Sequence, residues 1–164
     1  MKKMKAILAV LLVVSFAFFA LGSGESSSDD QGNGTASNSV SENKNLGDYS
    51  VVIDSCRIAE DMEGKAVVIV KYIFKNVSSD EAAAFYIALD ATVYQNGVGL
   101  NESYFLSDSA NYSSDNQTKE IKKGASIEVE VAYELNDETT DIEVEVKETF
   151  SFDDAVVKKT FSIA

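Results

Sequence analysis

Two stretches of this chain alternate carboxylates with apolar residues. Carboxylates are the side chains here best placed to do chemistry. In Ile127-Glu128-Val129-Glu130-Val131-Ala132-Tyr133-Glu134-Leu135, the residues Glu128, Glu130 and Glu134 share one parity. In Ile142-Glu143-Val144-Glu145-Val146-Lys147, Glu143 and Glu145 do the same. Carboxylates bind hard cations such as Ca²⁺ and act as general acids, bases or nucleophiles. Spacing argues against a tight ion site, because same-face residues along a strand stand ~6.6–7 Å apart. Cross-strand carboxylates at ~5 Å could share an ion but otherwise repel. Glycoside hydrolysis needs two carboxyl groups with separated roles, and nothing in so acidic a chain singles out a pair. The expectation is a solvated acidic face on which all five glutamates lie, balanced by Lys147, Lys158 and Lys159.

The other reactive types give less. The chain has no His, so the commonest general base and the commonest transition-metal ligand are missing. Cys56 is its one thiol. It falls in a predicted strand with Arg57 turned to the opposite face, which predicts a buried, inert side chain. Asp108 to Asp115, DSANYSSD with Tyr112 inside, reads either as a binding loop at one end of the fold or as a plain connection. Tyr86 and Tyr94 lie opposite the apolar face of Phe85 to Val93. If that face is open, they form an aromatic patch suited to protein or sugar. The triplets Asn101-Glu102-Ser103 and Asn116-Gln117-Thr118 are read as loop composition. No residue is assigned a catalytic, cofactor-binding or metal-binding role, and no cofactor is expected.

Charge narrows the partners. The 164 residues carry 27 acidic against 14 basic side chains, a formal net charge of −13. Such a surface repels nucleic-acid phosphates and anionic lipid head groups, and otherwise serves solubility. Membrane contact is expected only through the N-terminus. Met1 to Lys5 reads MKKMK, and Ala6 to Leu21 is uncharged and apolar. Small residues Gly22, Ser23 and Gly24 follow. This is the plan of a secretory signal covering residues 1–22, cleaved before Ser23 or kept as an anchor. Leu21-Gly22-Ser23-Gly24 also looks like a lipobox in which Gly24 replaces the lipidated Cys. Residues 23–46 are rich in Ser, Gly, Asn and Asp and read as a flexible spacer. One Cys allows no intrachain disulfide, so the domain over 47–164 must rest on its core.

From Asp48 onward the hydrophobic period is two, as in strands with one buried face. Val67 to Phe74 turns Val68, Val70, Tyr72 and Phe74 inward if Lys71 and Lys75 face water. Phe85 to Tyr94 reads as one strand with Phe85, Ile87, Leu89 and Val93 on a face, and Ala82 to Ala84 as a possible helical turn before it. Asn96-Gly97 marks a type I′ hairpin, with Val98 and Leu100 starting the return. Tyr49 to Ile58 has no settled parity, which points to a bulge. Asp61 to Gly64 punctuates the first two strands, Ile121 to Gly124 is a short strand ending in a turn, and Val156 to Ile163 closes the chain. Asn136 to Thr140 is turn-like, so the two acidic strands form a hairpin or cross between sheets. Seven or eight short antiparallel strands predict an all-β, immunoglobulin-like sandwich, with a small barrel as rival.

The succession of Gly64-Lys65-Ala66-Val67-Val68, Phe74-Lys75-Asn76, Gln95-Asn96-Gly97-Val98, Ile121-Lys122-Lys123-Gly124-Ala125 and Val129-Glu130-Val131-Ala132-Tyr133 resembles the DUF5067 family, from Gly47 to Ala164. These are extracellular or lipoprotein domains of Gram-positive bacteria, similar to the DUF4352 and telokin-like group. The resemblance implies an immunoglobulin-like fold and a cell-envelope address. It brings no activity and no catalytic residues. Where many members carry a lipobox Cys and a Pro in the Ile-Lys-x-Gly turn, this chain has Gly24 and Lys123. The expected function is a non-enzymatic envelope or secreted interaction module, outside the cell or on the outer face of its membrane. Its partner is an unknown protein or cell-wall component. The alternative is an accessory ion- or glycan-binding domain using the acidic face or the tyrosines.

Overall fold

The computed structural model describes residues 45–163. The leader, the lipobox-like Gly24 and the spacer up to residue 44 lie outside them. Eight strands alternate with turns: β1 (Asn45–Leu46), β2 (Tyr49–Glu60), β3 (Ala66–Asn76), β4 (Leu89–Gln95), β5 (Val98–Gly99), β6 (Ser126–Glu134), β7 (Ile142–Glu148) and β8 (Val156–Phe161). They form two four-stranded antiparallel sheets, ordered β1-β2-β3-β6 and β5-β4-β7-β8. β3 and β6, neighbours in the first sheet, are separated in sequence by β4 and β5 of the second, and β7 and β8 return to the second, so the chain crosses between layers three times. That order is the immunoglobulin-like one, with β2, β3 and β6 facing β4, β7 and β8. Asn45 and Leu46, placed in the spacer by composition, form β1, and Leu46 is fully buried. One apolar side chain at a sheet edge suffices to bring the polar segment around it into the fold.

Period-two alternation fills the space between the sheets. Val68, Val70, Tyr72, Phe74, Val129 and Tyr133 meet Leu89, Val93, Ile142, Val144, Val146 and Val157 in one core. Each such side chain contributes roughly 1.5–3 kcal/mol on burial. Two tyrosines lie deep within this layer. The Tyr72 and Tyr133 hydroxyls sit 3.2 Å apart and satisfy one another. Burial pushes both phenols above their ordinary range, so both stay neutral at alkaline pH where an exposed phenol ionises.

The unsettled parity of β2 has a cause. Its pairing with β3 shifts between Ile53 and Ser55, so Asp54 is the extra residue of a bulge. Val51 and Ile53 point inward before it, and Cys56 packs against the core after it. Lys159 from β8 donates to the Ile53 carbonyl at 3.1 Å and to the Asp54 carbonyl at 2.6 Å. The bulge thus turns main-chain acceptors toward a cation from the other sheet. The Asn96-Gly97 turn is as expected, with φ of 53° and 74° at its two central residues.

Two expected elements differ. Phe85 to Tyr94 is not one strand. Phe85–Ala88 forms a helical turn, α1, closed by the Ala88 N–H donating to the Ala84 carbonyl at 3.0 Å. The turn buries Phe85 and Ala88 and leaves Ile87 outside. Phe85 then packs on both Tyr72 and Phe74, with ring centroids 5.2 and 5.8 Å away. A strand would have sent Ile87 inward with it, where those rings already fill the space. Ile121 to Gly124 is a single bridge, Ala83 to Ile121, followed by a turn with Gly124 at φ 84°.

Candidate binding surface

The acidic ladders do not share a face. β6 belongs to the first sheet and β7 to the second, so Glu128, Glu130 and Glu134 stand on one outside of the sandwich and Glu143 and Glu145 on the other. The Asn136–Thr140 segment crosses between layers rather than forming a hairpin. Gln95, buried in β4, holds that crossing. Its amide nitrogen donates to the carbonyls of Asp137 and Thr140, both at 2.9 Å, and its oxygen accepts from the Asn136 N–H at 2.9 Å.

Most of these carboxylates have cation partners. Arg57 holds Glu130 through both guanidinium nitrogens, the second at 3.0 Å. Lys71 lies 3.0 Å from Glu128. Lys158 pairs with Glu145 and stands 3.8 Å from Glu143. Lys147 pairs with Asp90 at 3.1 Å. Among the described residues no three His, Cys, Asp or Glu side chains converge as metal ligands. Cys56 is half-buried, and burial pushes its thiol up to about 11, against the opposing pull of nearby Lys159. A thiol so shifted is a poor nucleophile.

The Asp108–Asp115 segment is not a loop at one end. It belongs to an excursion that lies across the outer face of the first sheet. Asn101 to Ser103 first runs beside β6, with Glu134 N–H donating to the Asn101 carbonyl at 2.9 Å and Ser103 N–H to the Ala132 carbonyl at 2.8 Å. The chain then folds back, and Ala110, Leu106 and Tyr112 cover Ile69 and Ala132. Gln117 donates to the Tyr112 hydroxyl at 3.0 Å and to the Glu130 carbonyl at 2.6 Å. Arg57 donates to the Asn111 carbonyl at 2.9 Å. The excursion goes there because Ile69 and Ala132 are apolar at outward positions and need cover. Those two residues were the sequence signal for it.

Tyr86 and Tyr94 do not form one patch. Tyr94, on β4, is half-buried in a shallow hollow beside Glu143 and Glu145. Tyr86 leaves the sheet with α1 and stands 58% exposed at the end where the β3–β4 and β7–β8 connections meet. There an open hollow of about 510 Å³ lies between Tyr49, the Ala82–Ala84 stretch, α1 and Phe150. Ile87 and Phe150 are exposed beside it, at 61% and 82%. Asp48 joins the β1–β2 turn to this end, its carbonyl accepting the N–H groups of Val77 at 2.9 Å and Ser78 at 3.1 Å. Asn76, fully buried below, donates to the Glu81 carbonyl at 3.0 Å and fixes the start of the connection. Phe150 and Ile87 were missed as site residues. Phe150 sits outside every alternating run, which is the signal that no strand buries it.

A second exposed apolar group lies at the opposite end. Met62, Tyr104 and Phe105 surround a hollow with Asp61 and Glu134. Tyr104 donates to Glu102 at 2.6 Å, which pushes its phenol up to about 12.

No curated protein matches the chain. A solved structure described as "a putative lipoprotein from Staphylococcus aureus subsp. aureus NCTC 8325" superposes with a TM-score of 0.56 at 18% identity, covering 79% of this chain and 94% of that one. At that identity the likeness establishes a shared fold. A family model, the domain of unknown function DUF5067, matches residues 24–148, from the spacer through the end of β7. With that match spanning most of the chain and seven of its eight strands, the chain belongs to the DUF5067 family.

Proposed function

We propose that this protein is an exported, non-enzymatic recognition domain, working outside the cell or on the outer face of its membrane. It binds a protein or cell-wall component through the end that carries α1 and the β7–β8 connection. The observation that supports this is the cluster of exposed Tyr86, Ile87 and Phe150 around an open hollow. Large apolar side chains grouped around one hollow, unlike singly scattered ones, mark a contact surface. Immunoglobulin-like sandwiches present such connections on a rigid framework. The basic N-region, the apolar run after it and the lipoprotein description of the structural neighbour support export.

Two measurements test the proposal. Intact mass of the native protein from membrane and medium fractions tests export: a chain starting at Ser23 in the medium, or a full-length chain in the membrane, fits. A full-length chain in the cytosol overturns it. Co-sedimentation of the full chain with isolated cell envelopes tests recognition. The double variant Ile87→Ser, Phe150→Ser is expected to lose envelope binding with its melting temperature unchanged. Equal sedimentation of both forms would refute this end as the contact surface.

A further inference from the structure

We propose that the hollow takes an extended segment of a partner protein that presents a lysine or arginine between apolar residues. The inference rests on the recognition function proposed above and names the chemistry of its partner. Three carboxylates, Glu81, Glu120 and Glu148, stand around the hollow, and no lysine or arginine lines it. None of the three forms an ion pair among the described residues, whereas Glu63, Glu128, Glu130, Glu143 and Glu145 all do. Lys123, in the turn beyond Ile121, pairs with Asp80 at 2.9 Å, and Lys119 donates to the neutral Asn116 side chain at 3.0 Å; neither lines the hollow. The hollow therefore combines an apolar floor with uncompensated negative charge.

That combination selects among occupants. A second copy of this chain brings the same strong negative charge and is repelled. An anionic lipid surface is repelled for the same reason. A lysine or arginine side chain meets both features at once. Its aliphatic stem lies on alanine, Ile87 and aromatic carbon, while its charge reaches the carboxylates and the ring faces of Tyr86 and Phe150. A volume of about 510 Å³ accommodates one or two such side chains.

The main chain favours a polypeptide over a free amine. Ala83 exchanges both backbone hydrogen bonds with Ile121, at 3.0 and 2.9 Å. In an antiparallel pair of that kind, the flanking residue turns its N–H and C=O away from the partner. Ala82, which lines the hollow, is that residue, and neither of its backbone groups finds a protein partner among the described residues. An extended segment laid along Ala82 gains main-chain hydrogen bonds while its alternate side chains enter the hollow.

The test is calorimetric titration of the full chain, held in non-ionic detergent, with the peptide acetyl-Val-Lys-Val-Lys-Val-amide and a detergent-only blank. The acidic peptide acetyl-Val-Glu-Val-Glu-Val-amide is the control. Binding is expected with Kd on the order of 100 µM, weakening as salt rises. The triple variant Glu81→Gln, Glu120→Gln, Glu148→Gln should bind at least about tenfold more weakly, at an unchanged melting temperature. Equal affinity for both peptides, or for the parent and triple variant, overturns the proposal. Envelope co-sedimentation separates the two levels. If it is lost in the Ile87→Ser, Phe150→Ser variant but kept in the triple variant, the surface stands and the cationic segment falls. If neither variant loses it, both fall.

Discussion

The two outer faces of the sandwich start from nearly the same sequence and end differently. β6 reads SIEVEVAYE and β7 reads IEVEVKE. Both turn Val inward and the glutamates flanking the valines outward, while Glu148 at the end of β7 has the inward parity and reaches the end hollow. On the first sheet the outward face is covered by the 101–121 excursion, which packs on Ile69 and Ala132. On the second sheet it is open, and its charges form a ladder of Glu143, Glu145 and Lys158. The difference lies in what occupies the outward positions between the glutamates. One small apolar residue in β6, aligned with Ile69 of β3 in the strand pairing, makes a dry spot that the chain must cover. β7 has Lys147 near the matching place and needs no cover. A ladder of identical glutamates thus says little about exposure; the residue that breaks the ladder says more.

The largest effect is expected where that break is repaired. Ala132→Glu restores strict alternation in β6 but places a carboxylate against Ile69 under the excursion. It should destabilise the fold by about 3–5 kcal/mol in urea titration, or lift the excursion from the sheet. A variant of unchanged stability, with 101–121 still protected from hydrogen exchange, would break the comparison. Next comes Arg57→Ala, which removes the link between Glu130 and the Asn111 carbonyl. Solvent reaches this guanidinium, so the expected loss is only about 1–2 kcal/mol. The sharper readout is faster proteolytic cleavage between residues 108 and 115, with the second sheet unaffected.

Acid should act on the crossing that joins the two faces. Asp137 accepts hydrogen bonds from the Thr139 and Thr140 N–H groups, which hold its carboxyl down to about 2. Its folded value lies below its unfolded one, so its stabilisation is full above about pH 4 and is lost as pH falls toward 2. Asp137→Asn should flatten the fall in urea midpoint between pH 4 and pH 2; an unchanged slope would remove Asp137 from the account. The smallest effect belongs to the open face. Lys158→Ala should shift the melting temperature by no more than about 2 °C, and the shift should vanish near 1 M salt. A larger, salt-insensitive loss would mean that the second outer face is structural after all.

Much of the architecture was written locally. The period-two runs set the strands and their inward residues, because alternation is the local condition for a sheet with one buried face. Val68 to Phe74 and Ile127 to Tyr133 turn the expected side chains inward. The Asn96-Gly97 hairpin and the Asp54 bulge follow from backbone preferences and a parity that would not settle. The strongly negative net charge is likewise a property of composition. Other features depended on what packs against what. The helical turn at Phe85 packs its ring on Tyr72 and Phe74 of β3, a contact with another strand that the run Phe85 to Tyr94 does not contain. The separation of the two glutamate ladders required knowing that residues 136–140 change sheets around Gln95. The aromatic end surface arose only when two connections, about sixty residues apart in the chain, met at the same end of the sandwich. Local sequence determines which face of a strand is apolar; the tertiary structure decides which segment covers that face and which side chains stay in water, because burial depends on neighbours the local pattern does not contain.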